Sequence, residues 1–426
     1  MTVTVSGRRE WWARLAPTGY GSPEFEWKVK YRMTDSADAR VDELVDELIR
    51  EHPPEETPVQ EFWGAQYDKG LAWAWHPEGF GGLGLARKHQ TRINDRLTRS
   101  GASIENRYTN LLGIAMGAGV LDAHATDEQK RRWLRPMFTT EDIWCQMFSE
   151  PGAGSDVAGL ATRATKDGDE WVVNGQKVWT TLAHIAKWGM LVARTDPQVP
   201  KHQGLTYFIV DMTSPGVDVR PLYQITGEAE FNEVFFDDAR IPDENRIDAV
   251  GAGWRVALTT LMNERVAIGG STIPRESGYI GQAVETWKAS GESDPVLRER
   301  LLHLWAEAEA ARLTAGRANE MASAGTPGPE GSTGKLAWAS LNKEITAFTL
   351  ELMGLDGALY PGGYELVRPQ RFQVHEPQKA YLRTRANSIE GGTSEIMLNI
   401  VGERVLGLPG EPRVDKDLPW VEVPRG

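Results

Sequence analysis

Cysteine is almost missing. Cys145 is the only one in 426 residues, so an intrachain disulfide, a CxxC redox pair and a cysteine-rich zinc site are excluded, and a reducing, cytoplasmic setting is expected. A long apolar run is missing too. The longest, Leu111 to Leu121 (LLGIAMGAGVL), falls far short of the ~18 residues of a membrane span and contains three glycines. A buried helix, and no membrane span, is expected there. The opening residues MTVTVSGRREWW lack the apolar centre of a secretion signal, so none is expected. Positive charge is in deficit: 47 Lys and Arg against 60 Asp and Glu leave a net charge of -13. That is the wrong sign for a nucleic-acid backbone or an anionic bilayer, so any polyanionic ligand must be held by a local site. The eight histidines show no HxH or HxxxH pairing, and no metal is expected. What the chain does have is 40% hydrophobic residues. At roughly 150 residues per domain it has room for about three domains with buried cores. Its sixteen tryptophans suit broad flat surfaces, in a core or against a ligand.

The texture divides the chain into an extension (1–34), a helical domain (35–143), a β-domain (144–249), a second helical domain (250–410) and a tail (411–426). Val41, Leu44, Val45 and Leu48 recur at helical spacing. The glycine-rich stretch HPEGFGGLGL (76–85) reads as a tight loop, and Thr126 as the N-cap of a helix from Asp127. From Trp144, β-branched and aromatic runs alternate with turn signals. Asp167-Gly168 and Asn174-Gly175 both read as type I′ hairpin turns, and KWGMLVART, GLTYFIVDM and AEFNEVFFDDARIP read as strands. Helical periodicity returns in GWRVALTTLMNERVAI, DPVLRERLLHLWAEAEAARLTAGRANEMAS and KLAWASLNKEITAFTLELMG, with a Pro/Gly-rich linker at 325–334. The fold class is α+β, in the order helices, barrel or sandwich, helical bundle.

Four segments go beyond packing. In Phe148-Ser149-Glu150-Pro151-Gly152-Ala153-Gly154-Ser155-Asp156, small residues let backbone amides approach a ligand closely. In NGQKVWTT, period-2 alternation sets Trp179 and Thr181 on one strand face, an aromatic plane beside a hydroxyl that suits a flavin edge. On the helix from Trp254, the residues Trp254, Ala257, Leu258, Leu261 and Ile268 form an apolar face with Glu264 and Arg265 at its edges. Burial raises a carboxyl pKa, which suits a base for a weakly acidic proton. In Glu390-Gly391-Gly392-Thr393-Ser394-Glu395, two glycines precede a helix with Thr393 as N-cap, and its free amides suit a phosphate or oxyanion. Glu390, just outside that turn, is a second candidate base.

FSEPGAGSD, NGQKVWTT, FNEVFFDDARIP, TLMNERVAIGG and EGGTSEIMLNIVGERVLGLP, in this order and spacing, closely resemble the acyl-CoA dehydrogenases from about Asp35 to Pro409. The resemblance implies an N-terminal helical domain, a central β-barrel or sandwich and a C-terminal four-helix bundle. It further implies non-covalent FAD and α,β-dehydrogenation of an acyl-CoA, the α-hydrogen leaving as a proton and the β-hydrogen as hydride to flavin N5. By the same resemblance Phe148, Ser149, Gly152, Ala153, Gly154 and Ser155 line the flavin, with Ser155 toward CoA. Trp179, Thr180 and Thr181 match the flavin-binding strand, Thr393, Ser394 and Glu395 the C-terminal FAD contact, and Arg265 an arginine by the substrate. Many members take the catalytic glutamate from directly before Gly-Thr, where this chain has Gly391 and Glu390 falls one residue early. Others take it from L-x-x-E-R, here Leu261-Met-Asn-Glu264-Arg265, so Glu264 is the expected base, Glu390 the alternative, and the Gly391 amide the donor to the thioester oxygen. An electron-transfer acceptor protein and a homodimer or homotetramer are expected partners.

Three departures bear on assembly. The R-x-x-F-G segment that reaches a neighbour's FAD is replaced by TWKASGESDPVLRER, the loop YPGGYELVRPQRFQVHEPQ is long, and residues 1–33 have no family counterpart. They keep one alternative open, a non-catalytic or flavin-poor partner chain in a heteromer with a sister chain; a separate alternative is a flavin monooxygenase of the same fold. Glu264 argues against the latter.

Overall fold

The structure is a computed structural model. It describes residues 36–269, 274–323, 330–360, 363, 365–371, 375–413 and 415–424, of which 265–269, 319–320, 322–323 and 330–331 by backbone alone. The extension 1–34, with Trp11, Trp12 and Trp27, lies outside the described residues, as do 324–329 of the linker.

The first domain is helical because its apolar spacing demands it. Helix Ser36–Glu51 buries Val41, Val45 and Leu48 on one stripe. Helix Asp127–Phe138 starts at Thr126 with a full capping box: the Thr126 hydroxyl accepts from the Gln129 amide, and the Gln129 side chain accepts from the Thr126 amide. The same Gln129 donates to the carbonyls of Glu244 and Arg246, at 2.8 and 2.9 Å, and so anchors this domain on the next. The run Leu111–Leu121 is helical, π-helical over Leu112–Gly117.

The β-domain has eight strands: β1 Trp144–Met147, β2 Arg163–Asp167, β3 Glu170–Thr181, β4 Trp188–Arg194, β5 Leu205–Asp211, β6 Val217–Pro221, β7 Phe231–Pro242 and β8 Arg246–Ile247. They form one sheet in the order β6-β7-β3-β2-β4-β5-β8, with β1 parallel to β4. The β2–β3 hairpin turns at Gly168–Asp169. Asn174-Gly175 is a correction: it is no turn, because β3 runs on through it. Gly175 sits at a register shift against β7, and a Cβ there would stand 2.5 Å from Thr162 Oγ1 and 2.7 Å from Thr162 Cα. The glycine serves close backbone approach. Strands β4 and β5 are buried on both faces and divide two cores. Met190, Val192, Tyr207 and Ile209 pack with the helical domain, and Leu191, Phe208 and Val210 within the β-domain. On β1, Trp144 packs on the helical side and Cys145 and Met147 on the other, so Gln146 comes off the strand toward the helices.

The second helical domain comprises Gly253–Gly269, Gly278–Ser290, Pro295–Ser323 and Glu330–Met353, followed by the short helices Pro377–Thr384 and Ser394–Ile400. The linker is therefore shorter than its composition suggests, since the last helix already begins at Glu330. Leu258 is another correction: it is 38% exposed, while Val256, Ala257 and Thr260 are fully buried. The stripe is rotated toward Glu264, which at i+4 from Thr260 falls inside it rather than at its edge. Ile268 is described by backbone only. The long loop before Pro377 folds back on its own β-domain, where Val367 exchanges backbone bonds with Gly227 and Ala229. The tail does likewise: Trp420 donates to the Gly159 carbonyl at 3.1 Å beneath the Arg194 guanidinium, and Asp415 pairs with Lys201.

Candidate functional site

The Gly-rich loop is held from below. Glu150 and Ala153 exchange backbone hydrogen bonds at 3.0 Å each, closing PGA into a tight turn, and Val178 donates to the Ser149 carbonyl. Glu150 accepts from the amides of Ala161 and Thr162 and from Lys177 Nζ at 2.8 Å. Lys177 is fully buried and also donates to the Phe148 carbonyl at 3.0 Å. Burial pulls the Lys177 ammonium below its ordinary pKa against the upward pull of Glu150, whose own carboxyl is held low because Lys177 and its hydrogen bonds outweigh burial. One ion pair thus fixes the loop to β3. Gly152, Gly154 and Ser155 are exposed above it, and no atom lies within 4 Å of where a Cβ on either glycine would be. The Phe148 ring, in contrast, lies in the core, edge-on to Tyr207 at 6.0 Å.

At the far end of β3 the alternation expected to align Trp179 with Thr181 is interrupted. The register shifts between Lys177 and Thr180, Lys177 and Val178 are both buried, and Trp179 takes a left-handed φ of 60°. A bulky residue in that region is strained. The bulge lifts the indole out, 56% exposed and edge-on to Phe231, while the buried Thr180 hydroxyl beside it has no hydrogen-bond partner. An exposed aromatic plane, an orphaned hydroxyl and a loop of open glycines fit a planar heteroaromatic cofactor with a polar edge.

The two candidate bases differ in surroundings. Glu390 receives both Arg383 Nη1 and Nη2, at 2.9 and 2.8 Å, and Asn387 Nδ2 at 2.6 Å. Arg383 also donates from Nε to the buried Glu230 at 2.9 Å and covers the Phe231 ring at 5.5 Å. Burial raises the Glu230 carboxyl pKa, and the carboxylates around Arg383 raise that of the guanidinium against its burial. Glu390 is thus paired with Arg383 through both oxygens. Glu264 is half-buried, with Gln146 Nε2 donating to its Oε2 at 3.2 Å. Lys335, buried and bonded to the Asn387 carbonyl, has its pKa lowered by burial, with Glu390 and Glu264 acting in the opposite direction. Gly391 and Gly392 both have positive φ, 63° and 94°, a double left-handed turn that glycine permits. Thr393 caps the following helix, accepting from Ile396 at 3.2 Å. Ser394 is half-buried and Glu395 exposed. The side chain of Arg265 is outside the described residues.

The sequence reading passed over Lys177, Gln146, Arg383 and Lys335. A polar Gln146 in the apolar strand WCQM, and a lysine amid the alternation of β3, were the visible signals.

Comparison with known proteins agrees with this architecture. The acyl-CoA dehydrogenase N-terminal, middle and C-terminal domain models match residues 30–141, 145–239 and 251–406. Acyl-CoA dehydrogenase IpdE1 of Mycobacterium tuberculosis (strain ATCC 25618 / H37Rv) is 40% identical over 347 residues, 80% of this chain and 85% of that protein. The chain belongs to the acyl-CoA dehydrogenase family. Acyl-CoA dehydrogenase FadE34 of the same organism is 40% identical over 77% of this chain, which spans 43% of that longer protein. Among solved structures, the ChsE4-ChsE5 complex from Mycobacterium tuberculosis has 26% identity and a TM-score of 0.66, covering 90% of this chain and 100% of that one. The acyl-CoA dehydrogenase from Geobacillus kaustophilus has 25% identity and a TM-score of 0.65, covering 88% and 99%. Acyl-CoA dehydrogenase family members are FAD-dependent. Among the described residues no helix is long and apolar enough to cross a membrane, and no cluster of metal-ligating side chains occurs.

Proposed function

We propose that this chain binds FAD and dehydrogenates an acyl-CoA thioester between Cα and Cβ, with Glu264 as the base that takes the α-proton. The observation that carries this reading is the contrast between the carboxylates. Glu390 has both oxygens engaged by Arg383 in a partly buried, charge-assisted pair that opposes its protonation. Glu264, half-buried, accepts from the neutral amide of Gln146. Gly152, Ala153, Gly154, Ser155, Trp179, Thr180 and Thr181 would hold the flavin, with Thr393, Ser394 and Glu395 beside it. The bound flavin supplies the hydride acceptor. The Gly391 amide, presented by its left-handed turn, would donate to the thioester oxygen as the α-carbon gains charge. An electron-transfer acceptor protein would reoxidise the enzyme.

Trp179 on β3, and Ile389, Leu398 and Leu406 in the C-terminal stretch, are each 56–68% exposed. Large apolar side chains left open on the segments that supply the proposed flavin contacts make a surface that a partner can bury. We infer that a second chain, a copy of this one or a sister, covers it. Native mass determination, with flavin counted per chain, tests this: a monomer holding one flavin per chain would overturn it.

The test of the base is anaerobic flavin bleaching over straight, branched and ring-bearing acyl-CoA thioesters. Glu264→Gln should retain flavin and lose bleaching on the order of 10³-fold. Glu390→Gln should cost far less, and the reverse order would exchange the two roles. Incorporation of labelled oxygen into product would favour a monooxygenase.

A further inference from the structure

Gln146 meets Glu264 through one end of its amide only. Nε2 donates to Glu264 Oε2 at 3.2 Å, while Oε1, buried, has no hydrogen-bond partner. A buried carbonyl oxygen without a donor is uncommon and asks for a reason. The strand supplies part of it. Cys145 and Met147 pack into the β-domain core, and the backbone of β1 is paired with β4, Gln146 opposite Met190, so the origin of this side chain is fixed. What is not fixed is which way the amide faces. Turning it by half about its last torsion exchanges N–H for C=O opposite Glu264 and breaks no other hydrogen bond, because the far end has none to break. That torsion is broad and two-fold in glutamine.

The protonation state of Glu264 then decides the orientation. As a carboxylate Glu264 only accepts, and requires the N–H end. Once it has taken the α-proton it carries an O–H, and that donor requires the C=O end. We propose that Gln146 is a positioning residue that follows the proton: its amide donates to the Glu264 carboxylate before abstraction and accepts from the Glu264 carboxylic acid afterwards. This rests on Glu264 being the base. In the step it serves, the substrate α-C–H bond breaks and its proton forms the Glu264 O–H. The electron pair left on Cα would become the Cα=Cβ bond as the β-hydrogen leaves with its own pair, for which a bound flavin would supply the acceptor. Gln146 itself gains and loses nothing. Among the described charged groups, Lys335 from helix Glu330–Met353 interacts electrostatically with both Glu264 and Glu390, and Arg265 is adjacent to Glu264 in sequence. The Gln146 amide carries both a donor and an acceptor, so it is able to answer both states.

The experiment compares the holoenzyme with Gln146→Leu and Gln146→Glu, recording acyl-CoA-dependent flavin bleaching from pH 5 to 9 together with thermal melting. Gln146→Leu removes a donor to the charged form, so the acidic limb of the rate profile should move to higher pH by about one unit. The maximal rate should fall about tenfold, with KM changed less than threefold. Gln146→Glu places a second carboxyl beside the first, so its limb should move further in the same direction. Variants that melt like the parent yet keep its acidic limb would overturn the proposal. So would a Gln146→Leu effect confined to KM. Glu264→Gln, run in parallel, separates the two readings: if it retains full bleaching, the base assignment has failed, whereas its loss beside unmoved Gln146 profiles means that only the role of Gln146 has.

Discussion

Lys177 shows at the scale of one residue how far a motif can be read without its partner. NGQKVWTT draws attention to Trp179 and Thr181, but the lysine holding the Gly-rich loop in place is meaningful only once Glu150, 27 positions earlier, is seen 2.8 Å away. Both are nearly inaccessible, at 0% and 8% side-chain exposure. Lys177→Met should cost about 3–5 kcal/mol in urea unfolding, because it leaves Glu150 buried and unpaired. Lys177→Met combined with Glu150→Gln should recover part of the loss, and equal loss in both variants would show that the pair is not the source. Glu264 stands out in the sequence because its helical spacing and its L-x-x-E-R context agree. That Glu390 serves Arg383 does not, since Arg383 sits in another element, the helix Pro377–Thr384.

At the scale of the element, legibility follows how local the interaction is. Thr126 and its capping box span four residues, so the helix start at Asp127 could be read directly. The bulges of β3 could not. Asn-Gly carries the same turn signal in a hairpin and in a strand, and the approach of Thr162 decides between them. Gly175→Ala should therefore destabilise the chain by about 1–3 kcal/mol. Because the Thr162 Cα is itself within reach, Thr162→Ala in the same chain should not fully repair it. Full repair in thermal melting would mean that only the hydroxyl obstructs. The rotation of the Gly253–Gly269 stripe away from Leu258 has a similar origin: helical spacing gives the width of a buried face, and its exact centre depends on which neighbours arrive.

Across the whole molecule, the segments joining the domains carry the unexpected contacts. The tail, which has no periodicity to read, places Trp420 against Gly159 and Arg194. Trp420→Ala should lower the melting temperature by about 3–6 °C, and no change would mean that the tail adds nothing to stability. His76 links stability to pH. Its ring stacks on Trp73 at 4.9 Å, neither ring nitrogen has a hydrogen-bond partner, and burial pulls its pKa from 6.5 down to about 4. The neutral form is the native one, so its stabilisation is present above pH 6.5 and is lost as pH falls from 6.5 toward 4, where the unfolded chain binds the proton that the buried ring refuses. Urea midpoints measured from pH 7 to 4.5 should fall steeply, and His76→Phe should flatten that slope. An unchanged slope would assign the acid sensitivity elsewhere.

The sequence by itself determined the domain order, the helix that carries Glu264, the loop of small residues and the family, because each depends on periodicity, local turn chemistry or a short run of residues. The tertiary structure decided that Glu390 is committed to Arg383, that Trp179 leaves its strand face, and that Gln146 stands against Glu264. The last of these turns on a contact between residues 118 positions apart, and Arg383 is itself held by Glu230, 153 positions away. No local pattern encodes such contacts, since a side chain's partner is fixed only when the packed elements bring it within hydrogen-bond reach.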